Sequence, residues 1–394
     1  MRLVEHLIWI CALVLLFACA RPVTFSQLSE GDAERSEAFY YVTDRASQRS
    51  QDGGIAYTTE RSPAMTFGVA QIATDAVRPD LEGLLEIRRF PQTPLPFSQD
   101  RGIILPDADA ARAYNAAKAE MRGTLANALQ RSGQREILFY VHGFNSLFEE
   151  TLETTARLWQ VTGRDALPVS YSWPAGNPGA FGYFKDRESG EFSIFHLKET
   201  LRLLKNVPGL ERMHIVAHSR GSDVVTTALR ELVIEERAAG RNPLQTLKVE
   251  TLILAAPDLD FSVVRQRLIA EHFGPAFGRI TVYMNPNDGA LGLAQMLMAG
   301  TRFGRLSFDE LGETEREIFR RIRNVHFVTV GAVTGQSSHS YFRKNPEVLA
   351  DLARVITTGA PPESPSRNLE PVEANFWRLI LPPDPAPRPS RIDR

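Results

Sequence analysis

Ser219 sits at the centre of Ala217-His218-Ser219-Arg220-Gly221. A β-branched pair, Ile215-Val216, leads into this stretch, and a helical apolar pattern (Val224, Val225, Ala228, Leu229, Leu232) leaves it. A strand, a sharp turn around a serine and then a helix is the context of a nucleophile elbow. Such a turn holds its serine in a strained backbone conformation. The residues two positions to either side must be small so that strand and helix can pack closely. Here they are Ala217 and Gly221, a mild departure from the usual G-x-S-x-G. The plainer alternative is an ordinary strand-to-helix turn with an N-cap serine.

A serine hydroxyl is a weak nucleophile at neutral pH. It needs a base within hydrogen-bond reach, an acid to orient that base, and two donors aimed at the oxyanion. For an elbow serine the acid and then the histidine follow later in the chain. Two acids close predicted strands: Asp258, in Ala256-Pro257-Asp258, and Asp288, in Asn287-Asp288-Gly289, where a simple turn role is the alternative. Of the eight histidines, His339 follows the last of the alternating strands and precedes the last helix, as the order requires. His326 lies inside a strand. His214 and His218 are four apart on a strand, on the order of 13 Å, too far for one metal ion. His196 and His272 stand in polar surroundings and read as solvated. Tyr140-Val141-His142-Gly143-Phe144-Asn145 is a His-Gly turn between a strand and a helix. Its glycine lets the backbone approach a reacting carbonyl. The N–H groups of Phe144 and Arg220 are then the two oxyanion donors.

These groups need a frame. Strands are predicted at Ala38–Thr43, Phe67–Ile72 and Leu84–Phe90, the latter two as an antiparallel edge, with Gly53, Gly54 and Pro63 as turn material. A helix runs to about Gln130. From Glu136 onward strands (137–141, 168–173, 213–217, 251–255, 280–284, 325–330) alternate with helices (148–161, 194–204, 223–236, 261–269, 291–298, 346–357). That alternation predicts an α/β fold, a mostly parallel sheet with helices on both faces. Residues 300–323 read as an excursion before the last strand.

With these residues in hand the chain resembles the α/β-hydrolase superfamily. More narrowly, it resembles a bacterial esterase/lipase-like branch of unknown function, domain of unknown function 900. The likeness is carried by His142-Gly143-Phe144-Asn145, Ser172-Trp173-Pro174, Tyr183 with Asp186, Ala256-Pro257-Asp258, Asn287-Asp288 with Ala290-Leu291, and His339-Ser340-Tyr341-Phe342. It covers roughly residues 39–352. Arg220 departs from the methionine or leucine common after the nucleophile, although the donor there is backbone. The resemblance implies a triad of Ser219, His339 and Asp288, with Asp258 as the alternative acid. Trp173, Tyr183 and Asp186 are candidate pocket residues beside it. It implies no metal or organic cofactor.

Composition agrees with an enzyme: 394 residues, 43% hydrophobic and 23% charged, with a formal net charge of −2. No basic block points to nucleic acid. Arg2 precedes an apolar run from Leu7 to Phe17 that ends Leu16-Phe17-Ala18-Cys19. The run is shorter than a spanning helix and suits a secretory signal. Its end resembles a bacterial lipobox, which makes Cys19 the lipidated residue of an exported, envelope-anchored protein. Small-x-small cleavage and an uncleaved anchor are the alternatives. Cys11 and Cys19 are the only cysteines, so neither a disulfide framework nor a cysteine nucleophile is available. The expected layout is a signal at 1–19, a spacer at 20–36, a hydrolase domain at 37–358 whose first part is 37–131, and a proline-rich tail at 359–394. Within that tail Phe376–Leu381 is an apolar island able to dock, and no partner for the tail can be named. The expected function is a serine hydrolase of carboxylesterase or lipase type acting on a small-molecule or lipid acyl substrate. Two alternatives use the same scaffold: acyl transfer with the same triad, and a non-catalytic envelope binding module.

Overall fold

The computed structural model describes residues 26–27, 37–49, 51, 53–74, 80–93, 97–98, 105–106, 108–331, 333 and 338–381. The lipobox with Cys19, most of the spacer, and the tail beyond 381 lie outside these residues. Successive side chains of a strand point to opposite faces, and in the central strands both sets are apolar. Ile137, Phe139 and Val141 enter one core and Leu138 and Tyr140 the other. A sheet that is apolar on both sides must be covered on both sides.

Among the described residues the sheet has twelve strands. They are β1 (Ser26–Gln27), β2 (Ala38–Arg49), β3 (Ile55–Ala73), β4 (Asp80–Arg89), β7 (Glu136–Val141), β8 (Leu167–Ser172), β9 (Arg212–His218), β10 (Val249–Ala255), β11 (Arg279–Met284), β12 (Val325–Thr329), β13 (Leu369–Glu373) and β14 (Phe376–Leu379). Phe97–Ser98 and Leu105–Pro106, β5 and β6, form a separate small pair. The order is β1-β4-β3-β2-β8-β7-β9-β10-β11-β12-β14-β13. From β2 through β14 all neighbours run parallel. Helices α1 (Ala108–Ser132), α3 (Gly179–Leu204) and α4 (Gly221–Ala238) cover one face; α2 (Phe148–Val161) and α7 (Pro346–Thr357) cover the other. Two further helices, α5 (Gly289–Met298) and α6 (Glu313–Arg321), lie between β11 and β12 in the chain. The architecture is the expected α/β fold, with β3 and β4 as the antiparallel addition.

Four local expectations need correction. Pro63, read as turn material, lies inside β3, where the pairing with β2 jumps from Thr66 to Arg61 and no ladder N–H is needed. The helix expected at 194–204 begins at Gly179. Its glycines hid it, yet Gly190 packs against Val224 and the Trp173 ring. His196 is not solvated: it is buried, its Nδ1 lies 3.2 Å from Thr93 Oγ1, and burial pushes its pKa down to about 4. The packed unit also passes residue 358. Phe376 stacks on Phe327 at 4.4 Å as β14 pairs with β12, and buried Arg367 grips Asp351 at 2.8 and 2.9 Å. Pro371 is tolerated because β13 is the edge strand.

Candidate active site

Parallel strands send their carboxyl ends to one rim, and the loops leaving that rim carry the groups singled out above. Ser219 follows β9 and has φ +52°, a left-handed conformation costly for a residue with a Cβ. Its N–H donates to the Ala255 carbonyl at 2.9 Å, and its own carbonyl accepts from Asp258 N and Ser222 N at 3.1 and 3.0 Å. The flanking small residues are explained by space. A Cβ at position 221 would run into the His142 carbonyl, and one at 143 would lie 2.7 Å from Ser219 Cβ. The elbow and the His-Gly turn therefore interlock backbone to backbone.

His339, from the loop after β12, places Nε2 2.9 Å from Ser219 Oγ and Nδ1 2.7 Å from Asp288 Oδ2. Asp288 follows β11, is fully buried, and accepts the Leu291 N–H at 3.0 Å on its other oxygen, capping α5. The cap pins the carboxylate, and the carboxylate orients the imidazole. Asp258 is also buried but faces elsewhere: Tyr183 donates its hydroxyl to Oδ2 at 2.7 Å, and Arg302 Nε lies 3.6 Å from Oδ1. Asp258 thus has no contact with His339, which separates the two acids that chain order left open.

The backbone N–H groups of Phe144 and Arg220 have no acceptor among the described residues. The Arg220 side chain turns to Asp223 at 2.8 Å and is largely buried.

The remaining candidates pack around the turn. Trp173 is fully buried, stacks on His142 at 5.0 Å and donates Nε1–H to the His142 carbonyl at 2.8 Å. Asp186 is buried and accepts N–H groups from Asn145, Gly176 and Asn177 at 2.9, 3.1 and 3.3 Å. The side chains of Trp173 and Asp186 are wholly buried beneath the turn, which corrects their placement as pocket-facing residues. Tyr183 is mostly buried, with Phe144 edge-on at 5.3 Å, and sits between the turn and Asp258.

Two residues escaped sequence reasoning. Arg45, on β2, is buried with its guanidinium spread over Ser172 Oγ, the carbonyls of Ala175, Thr58 and Ser146, and His142 Nε2. Burial draws its pKa down to about 10. Burial, and then the Arg45 charge, hold His142 far below the ordinary histidine range, so its imidazole is neutral. No local signal marks Arg45, because its partners come from distant segments. His218 was read as part of the elbow without a role; its Nε2 lies 3.1 Å from the His339 carbonyl.

Among the described residues, no three His, Cys, Asp or Glu side chains gather to hold a metal, and no helix is long and apolar enough to cross a membrane. Residues 117–358 match the profile of a family described as "Alpha/beta hydrolase of unknown function (DUF900)". No curated protein sequence matches. Similar solved structures include an esterase from Pyrobaculum calidifontis, at 12% identity and TM-score 0.33 over 57% of this chain and 77% of that one. Est1E from Butyrivibrio proteoclasticus gives 12% identity and TM-score 0.33 over 57% and 88%. The carboxylesterase CesB from Bacillus subtilis gives 10% identity and TM-score 0.27 over 58% and 85%.

Proposed function

The chain belongs to this alpha/beta hydrolase family of unknown function, and on that premise we propose that it is a serine hydrolase cleaving an ester or related acyl bond. Ser219 Oγ attacks the acyl carbonyl while His339 Nε2 takes the hydroxyl proton. Asp288 accepts the Nδ1–H and stabilises the imidazolium that forms. The amides of Phe144 and Arg220 donate to the tetrahedral oxyanion. His339 then returns the proton to the leaving oxygen, an acyl group stays on Ser219, and water repeats the sequence to release the acid.

The observation that carries this reading is the relay of 2.9 Å from Ser219 Oγ to His339 Nε2 and 2.7 Å from Nδ1 to Asp288. The strained φ of Ser219 supports it, since strain at a serine is kept where the hydroxyl must be presented. The experiment is covalent labelling with a fluorophosphonate, alongside turnover of short p-nitrophenyl esters. Labelling at Ser219 and turnover lost in Ser219→Ala are expected; an unmodified Ser219 in folded protein refutes the reading.

We also propose that the chain is exported and held in the bacterial envelope by a lipid on Cys19. Incorporation of labelled palmitate into the chain but not into Cys19→Ser is the expected result, and equal incorporation overturns it.

A further inference from the structure

A cavity of about 580 Å³ lies on the α3/α4 side of the sheet. Its floor is Leu254, Ile280, Val282 and Phe327, from the adjacent strands β10, β11 and β12. Leu268 and Ile269 close one side and Ile318 and Phe319, on α6, the other. The volume is in the range of sites that enclose a small ligand, roughly 300–1,000 Å³.

The backbone along one wall is irregular. Arg265–Ile269 is π-helical, a form concentrated at functional places. The chain then turns through His272 at φ +55° into a short 3₁₀ turn, Gly274–Ala276. This wall is therefore not a continuous α-helix. The lining is almost wholly aliphatic and aromatic, so ordered water would lack the two to four polar partners it needs.

The mouth differs from the interior. Arg323, Arg321 and His272 stand there, all exposed. Arg321 pairs with Glu317 at 2.7 Å, whereas Arg323 has no carboxylate partner among the described residues. Ile280 and Val325 lie at the amino ends of β11 and β12, whereas Asp288 and His339 follow their carboxyl ends. The mouth is thus separated from the triad by roughly 15–20 Å of strand.

We propose that this cavity binds one long-chain fatty acid, its hydrocarbon chain along β10–β12 and its carboxylate against Arg323. The apolar walls suit the chain, and the Arg323 guanidinium, without a carboxylate partner among the described residues, suits the anionic head. The site is independent of Ser219 chemistry.

The test is titration of the full chain with a dansyl-labelled fatty acid, with palmitate and hexadecanol as competitors. Saturable one-to-one binding is expected, displaced by palmitate and about tenfold less well by the alcohol, which lacks the charge-assisted contact. Ile318→Trp fills the cavity from the half-buried face of α6 and should abolish binding in protein that melts as the parent does. Arg323→Glu changes only an exposed side chain and should weaken binding by about tenfold. Absence of saturable binding by the parent, or parental affinity in folded Ile318→Trp, overturns the site. Parental affinity in Arg323→Glu, or equal displacement by the alcohol, overturns the carboxylate assignment.

Discussion

His218 Nε2 lies 3.1 Å from the main-chain oxygen of His339. A carbonyl only accepts, so Nε2 carries the proton. Burial, followed by the proximity of His339, keeps the ring neutral. The residue before the elbow serine therefore holds the loop that supplies the imidazole, and its ring is wedged against Phe342 at 4.4 Å. His218 is a positioning residue. His218→Phe should keep the stacking, lose the tether and lower kcat by about 10- to 100-fold with KM little changed. His218→Gln, which retains an N–H donor, should recover part of the rate. Equal kcat in all three proteins would show that the tether is ornamental.

The left-handed φ of Ser219 makes stability and activity trade against each other. Ser219→Gly should abolish fluorophosphonate labelling and relieve about 1 kcal/mol of strain, raising the calorimetric Tm by about one degree. A Tm well below that of Ser219→Ala, which loses the same hydroxyl but keeps the Cβ, would mean the turn is not strained.

Asp288 and Asp258 are equally buried yet differently employed. Asp288→Asn should lower kcat by roughly three to four orders of magnitude. It should leave stability almost unchanged, because asparagine caps a helix about as well. Asp258→Asn alters only the contacts with Tyr183 and Arg302 and should keep most of the turnover. The reverse pattern in steady-state kinetics would exchange their roles.

Burial of His196 links folding to pH. Its folded pKa, about 4, lies below the unfolded value of about 6.5, so the unfolded chain binds the extra proton between these values. Stability is fully present above about pH 6.5 and is lost as pH falls toward 4, by about 3 kcal/mol from this group. The urea midpoint should drop across that window, and His196→Gln should flatten the fall. A midpoint with the same pH slope in both proteins would assign the loss to other groups.

Much of the site was legible because its requirements are local. Small residues around Ser219, a glycine at 143 and a β-branched run before the turn follow from the packing of one strand against one helix. The alternation of strands and helices reported the parallel sheet because each strand buries both faces. The first half of α3 was hidden by its glycines, of which Gly190 packs against Val224 and Trp173. The β13–β14 hairpin was hidden by prolines that only an edge strand tolerates.

By itself the sequence determined which groups can do chemistry and which elements carry them, since hydroxyl, imidazole, carboxylate and hydrophobic period are properties of single residues and short windows. Only the tertiary structure decided that Asp288 and not Asp258 meets His339, that Arg45 supports the His142 turn, and that Trp173 and Asp186 point inward. Those outcomes depend on the strand order and register that bring distant segments within 3 Å of one another, and no local pattern encodes such pairings.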